Sequence, residues 1–143
     1  MENFKEILKD CIQDENISLR KLALKTGIAA SQFSDYLRGT IPTLPIAIKI
    51  TKYFNCSLDY LFGISEIKTT CPLKDSYDIN LFFNRYEKAL KENNTTHWKL
   101  CKSLKLSESV LRHWKNGDLP SLKYLAIIAK ELSTSIDYLV GRC

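Results

Sequence analysis

The sequence predicts an all-α fold of two tandem five-helix domains, and three observations carry that prediction. Leu58-Asp59-Tyr60-Leu61-Phe62-Gly63 returns as Ile136-Asp137-Tyr138-Leu139-Val140-Gly141, an offset of 78 residues that also takes Leu22 to Leu100, Gly39 to Gly117, Pro42 to Pro120 and Leu44 to Leu122. A fixed period of this kind means that one supersecondary plan is used twice. Apolar residues recur at helical spacing, with no sustained strand-like alternation. Ser or Thr precedes most of these runs, where its oxygen can accept from backbone N–H groups that a first helical turn leaves unpaired. The repeat divides the 143 residues into domains at 1–66 and 79–143 with a linker at 67–78. Each domain has a length that folds alone with little to spare.

In the first copy helices are expected near 2–14, 18–26, 29–38, 44–54 and 57–62. Phe4, Ile7, Leu8, Cys11 and Ile12 form the apolar stripe of the first. Ser18 is placed to cap the second, Thr43 the fourth and Ser57 the fifth, and Asp59 falls in a first turn where negative charge suits the helix dipole. Gly39 and Pro42 punctuate the loop before the fourth helix. The second copy repeats the plan near 79–92, 96–104, 107–116, 122–132 and 135–140, with Thr96, Ser107, Ser121 and Ser135 as capping residues.

Composition narrows the function classes. There is no apolar run long enough to span a membrane and no signal-peptide pattern at Met1-Glu2-Asn3-Phe4-Lys5, so a cytoplasmic protein is expected. Five cysteines without a C-x-x-C pair read as free thiols in a reducing compartment. His97 and Cys101 stand four apart with His113 further on, a pattern too sparse for a metal site, and Cys101 matches Ala23 as a small core position. Neither histidine has a nucleophile, a paired carboxylate or a phosphate-binding glycine loop near it in sequence, so no enzyme and no cofactor are expected. The net charge of +5 is uneven: residues 1–66 hold eight basic and eight acidic side chains, and the remainder holds thirteen against eight. That surplus fits a polyanionic partner.

Within each copy the second and third helices form a compact unit. In the first it runs from Ser18 to Gly39, with Leu22, Ile28, Phe33 and Tyr36 or Leu37 holding the two helices together, Ala23 small at their crossing and Gly27 supplying a left-handed turn. This packing leaves the outer face of residues 30–38 able to enter a major groove about 12 Å wide. Through this unit, the G-x-x-P loop and the closing S-[LI]-D-Y-L-x-G helix, each copy resembles almost throughout the Cro/Xre-type phage-repressor helix-turn-helix family. The resemblance implies two lambda-repressor-like helix-turn-helix domains. It further implies a bacterial or phage-encoded, nucleoid-associated regulator of transcription that binds double-stranded DNA, usually as a two-fold pair, so a homodimer is a further expectation.

Carried over position by position, the recognition helix of the first copy would present Ala30, Ser31, Gln32, Ser34, Asp35 and Arg38. Gln32 suits adenine, Arg38 guanine or phosphate, and Asp35 cytosine N4. Arg20, Lys21 and Lys25 on the preceding helix suit phosphates. Leu19 departs from the family, which commonly has Gln there, and puts that contact in doubt. In the second copy His97 takes that position; Ser109, Arg112, His113 and Asn116 would face the groove, with Lys99, Lys102, Lys105 and Lys115 on phosphates. Residues 97–117 count five basic side chains against Glu108 alone. Arg112 is the leading base contact, because bidentate Arg–guanine pairing is the commonest specific one. Lys105 stands where the first copy has glycine, at a cost of about 1 kcal/mol if held left-handed. Trp98, Trp114 and Tyr36 read as core or groove-edge packing residues, not base-stacking platforms.

The function expected is a sequence-specific transcriptional regulator, a repressor, reading two unlike half-sites about 34 Å apart with two recognition helices in one chain. Ser31 and Ser109 are the only outward-facing pair that the two helices share. The alternative is a protein-interaction module, with one or both units binding a toxin, a phage repressor or RNA polymerase. No membrane contact or small-molecule ligand is evident in the sequence.

Overall fold

The computed structural model describes residues 2–69, 72–107 and 109–143, Glu2 by its backbone only. Among them the protein is all-helical, with ten helices and no strand: α1 (Glu2–Glu15), α2 (Leu19–Thr26), α3 (Ala30–Leu37), α4 (Leu44–Phe54), α5 (Leu58–Leu61), α6 (Ile79–Glu92), α7 (His97–Leu104), α8 (Val110–Lys115), α9 (Leu122–Glu131) and α10 (Ile136–Leu139). The chain packs as two compact units, Met1–Asp75 and Ser76–Cys143.

The first unit is built on the apolar stripe of α1, which buries Phe4, Leu8 and Cys11 while Ile7 and Ile12 are half-buried. Phe4 stacks on Phe62 with ring centroids 4.9 Å apart, fixing α1 against the end of α5. Leu22, Phe33, Tyr36, Ile50 and Leu58 complete the core from every other helix. Full burial of such side chains stabilises by about 1.5–3 kcal/mol each. Ser18 Oγ accepts from the Lys21 N–H (3.2 Å) and Ser57 Oγ from the Tyr60 N–H (2.9 Å). Thr43 flanks α4 without a side-chain capping bond. Segment 67–78 is tied to its neighbours at both ends. The Ser57 N–H donates to the Lys68 carbonyl and the Asp78 N–H to the Val140 carbonyl, both at 2.7 Å.

The second unit carries its five helices around an aromatic centre. Phe82 stacks on Tyr86 (5.6 Å), and Trp114 meets both edge-on (5.8 and 5.2 Å). Thr96 caps α7 through the Lys99 N–H (3.3 Å) and Ser135 caps α10 through the Tyr138 N–H (3.1 Å). Its chain end is pinned by a buried ion pair, Arg142 to Asp137 at 2.8 Å.

Two expectations are corrected here. The helix expected at 107–116 begins only at Val110: Ser107 makes a turn instead, its carbonyl accepting from the Val110 N–H (3.2 Å) and its hydroxyl from the Ser109 N–H (3.3 Å). Serine hydroxyls that bond nearby backbone compete with helix. Glu108 lies outside the described residues. Cys11, Cys56 and Cys101 are buried thiols outside any disulfide, but Cys143 is disulfide-bonded, so the expectation of reduced thiols throughout fails there. Cys71 lies outside the described residues.

Candidate nucleic-acid interface

In the first unit α2 and α3 meet through a turn whose centre, Gly27, is left-handed (φ 76°, ψ 10°) and returns its N–H to the Ala23 carbonyl at 2.8 Å. Leu22, Ile28, Phe33 and Tyr36 are buried at this junction; of the two candidates Tyr36 and Leu37, Tyr36 goes into the core and Leu37 is half-buried. Burial, with the Asp35 carboxylate adding to it, pushes the Tyr36 hydroxyl's pKa up. With its inner face so occupied, α3 presents Ser31, Gln32 and Asp35 to solvent, followed by Arg38 just past its end. Arg20, Lys21 and Lys25 are exposed on α2.

The polar row of α3 is largely engaged with its own helix. Gln32 Oε1 accepts from the Ala29 N–H at 3.2 Å, capping the helix start. Ser34, expected toward the groove, is half-buried and donates its hydroxyl to the Ala30 carbonyl (3.2 Å). Arg38 Nη1 lies 3.3 Å from Asp35 Oδ1, both side chains well exposed. Such contacts are worth only about 0.2–1 kcal/mol at a surface, so a ligand can exchange them.

In the second unit Lys105 takes the glycine position in the left-handed conformation (φ 58°, ψ 36°), donating its N–H to the Cys101 and Lys102 carbonyls. The turn therefore keeps its shape and carries the strain. Trp114 is the buried anchor of α8. On the opposite face Ser109, Leu111, Arg112, Lys115 and Asn116 line one open hollow of about 350 Å³. Among the described residues Arg112 has no ion-pair partner. His113 Nδ1 stands 3.6 Å from Asp118 Oδ2 at the surface, and Lys115 Nζ lies 5.8 Å from the Phe83 ring centroid. Lys99 and Lys102 are exposed on α7.

His97, expected toward the groove, is half-buried. Its Nδ1 lies 2.6 Å from the Tyr86 hydroxyl, its Nε2 3.1 Å from Cys101 Sγ, and its ring meets Trp114 edge-on at 5.5 Å. The first residue of α7 thus turns toward α6, its imidazole packed against the aromatic centre of the unit. Cys101 is buried as expected, and among the described residues no group of three metal-ligating side chains gathers around the pair. Tyr86 is held protonated, its pKa raised by burial and by the neighbouring Cys101 thiol.

Two exposed apolar residues escaped sequence reasoning. Leu24 is 80 % exposed on α2, beside a shallow hollow lined by Arg20, Ala23, Gly27 and Ala30 among others. Trp98, expected in the core or at the groove edge, is 52 % exposed and so outside the core, with Lys102 Nζ 5.0 Å from its ring centroid. The offset of 78 gives the signal in hindsight, since it sets Trp98 on Arg20 and Lys102 on Leu24, both positions of the outer face.

A family model described as helix-turn-helix matches residues 8–61, from the middle of α1 to the end of α5. No curated protein and no solved structure matches the chain significantly. Residues 8–61 are thus similar to helix-turn-helix domains, a kind used by DNA-binding transcription regulators. Among the described residues no helix is long and apolar enough to cross a membrane.

Proposed function

We propose that the protein is a sequence-specific transcriptional repressor that reads double-stranded DNA with two recognition helices, α3 and α8, acting in the cytoplasm of a bacterium or of a phage-infected cell. The observation that carries this reading is the outer face of α8, where Arg112, Lys115 and Asn116 line one hollow while Trp114 anchors the opposite side. A rigid helix with its polar row outward is what base-edge reading requires.

Lys99, Lys102 and Lys115 in the second unit, with Arg20 and Lys21 in the first, neutralise phosphates and release counterions. Arg112 pairs with guanine O6 and N7, and Asn116 and Ser109 accept or donate at neighbouring edges. In the first unit Gln32 must surrender its bond to the Ala29 N–H before it can pair bidentately with adenine. Asp35 and Arg38, already paired, together suit a C·G step: carboxylate on cytosine N4, guanidinium on guanine. The two rows differ at every outward position except Ser31 and Ser109, so the half-sites are unlike. Occupying such a site blocks a promoter.

A second reading, in which the first unit binds a protein, is favoured by one observation: the large exposed Leu24 next to a row of side chains already satisfied on α3. Selection of bound duplexes from a randomised pool separates the two. The full chain should enrich a bipartite motif, and the Arg112→Ala, Lys115→Ala variant should lose one arm of it. No enrichment, with only weak salt-sensitive binding, would make the interaction module the better reading.

A further inference from the structure

A second basic concavity lies on the first unit, and none of its lining residues belongs to α3. Lys25 and Thr26 at the end of α2 face Lys49, Lys52 and Tyr53 on α4 across an open hollow of about 500 Å³. Three lysines from two helices line it, and none of the lining residues is acidic. Lys25 and Lys52 sit in last turns, where a cation suits the helix dipole, but Lys49 has no such reason to be basic. Nor does the fold require the cluster. The offset of 78 places Ser103, Leu104, Ile127, Lys130 and Glu131 at the matched positions, and the second unit folds with them.

The hollow already draws one carboxylate: Asp75 Oδ2 lies 3.2 Å from Lys52 Nζ, with both side chains about two-thirds exposed. One carboxylate against three lysines leaves a concentrated positive charge. Thr26 takes no part in recognition, because its hydroxyl donates to the Leu22 carbonyl (2.7 Å) and accepts from the Ile28 N–H (3.2 Å). Tyr53, half-buried, supplies an aromatic wall.

We propose that this hollow is a binding site for a small ligand carrying phosphate or carboxylate groups, and that Asp75 is the built-in competitor which such a ligand displaces from Lys52. Of the hollow's lining only Lys25 was also expected on a DNA phosphate; Lys49, Lys52 and Tyr53 on α4 stand apart from the DNA reading, and the site does not depend on it.

The test is calorimetric and NMR titration of the full-length protein with pyrophosphate and with citrate at constant ionic strength. Thermal melting first checks that each variant folds. Binding should saturate, weaken about threefold in Lys49→Ala and roughly tenfold in Lys49→Ala, Lys52→Ala, as expected of exposed ion pairs. Asp75→Asn should tighten it about threefold, since the competitor is gone. A preference for pyrophosphate over citrate marks a phosphate ligand and the reverse a carboxylate one; either supports the site. A response that sodium chloride reproduces, or that the double lysine variant leaves unchanged, overturns the proposal. So does a fall of about two in the salt slope of DNA binding in that variant, which would make these lysines backbone contacts.

Discussion

His97 Nδ1 lies 2.6 Å from the Tyr86 hydroxyl, a bond that ties the first residue of α7 to the middle of α6. Trp114, the anchor of α8, rests edge-on against both rings. Removing the imidazole therefore leaves a buried hydroxyl without this partner and loosens the seat of α8. His97→Ala should cost about 1–3 kcal/mol. The chain's two tryptophans, Trp98 and Trp114, are both in the second unit, so fluorescence-detected urea unfolding reports that unit alone. An unchanged midpoint would mean that the imidazole contributes nothing.

Tyr86 makes the same unit sensitive to alkali. Its pKa is raised above the ordinary value of 10.0, first by burial and then by Cys101. Between the unfolded and folded values the unfolded chain has lost this proton and the folded chain keeps it. Stability is therefore full below pH 10 and falls above it, by about 1.4 kcal/mol per pH unit for one such group. Melting curves followed at 295 nm from pH 8 to 11 should show the loss setting in near pH 10. Tyr86→Phe should flatten that slope even though it sacrifices the bond to His97.

The sequence made the helices and the crossing residues legible because both follow local rules. Ser18, Ser57, Thr96 and Ser135 cap where their hydroxyls can reach an N–H, and Gly27 turns left-handed at the helix end, where it meets no Cβ penalty. Side-chain direction at helix ends was not legible. His97 and Trp98 are adjacent, one turned into the core and one left 52 % exposed, and periodicity in a helix of eight residues cannot rank them. Ser34 bonds its own helix and Ser107 its own turn, choices set by backbone geometry that spacing does not encode. The bonded state of Cys143 was hidden for a similar reason: an odd count without close pairs says nothing of residues brought together by folding.

The Asp137–Arg142 pair is 2.8 Å long with both side chains 2 % exposed. Removing one partner of a buried pair leaves an uncompensated charge, at about 3–5 kcal/mol. Arg142→Ala should therefore unfold the second unit well before the first, with the tryptophan signal lost ahead of the far-UV helix signal. The first unit has Ile64 at the matched position, so it offers no equivalent weakness. Replacing both partners by apolar residues should recover most of the loss, which a simple packing defect at the chain end would not do.

Lys105 is one of the positive-φ residues without the glycine exemption, at φ 58°. A left-handed lysine costs about 1–2 kcal/mol, while glycine gives back about 0.5–1 kcal/mol in unfolded-state freedom. Lys105→Gly should stabilise the second unit by about 0.5–1 kcal/mol net. DNA affinity should nonetheless fall slightly in low salt if the lysine also meets a phosphate, so stability and binding would move in opposite directions.

Base reading and phosphate binding leave different marks on DNA affinity, which separates Arg112 from the lysines around it. Arg112 lines the hollow on α8 and is proposed to face a guanine, so Arg112→Ala should cost about 1–3 kcal/mol on the selected site and relax the preference at one base pair. Its effect on nonspecific duplex should be small. Lys99 and Lys102 are exposed on α7, and each replaced by Ala should weaken all sequences alike and lower the salt slope by about 0.9. Fluorescence anisotropy across a salt series, on the selected and a scrambled duplex, measures both quantities together. Equal losses on the two duplexes for Arg112→Ala would move that residue from the groove to the backbone and take the base specificity of the second unit with it.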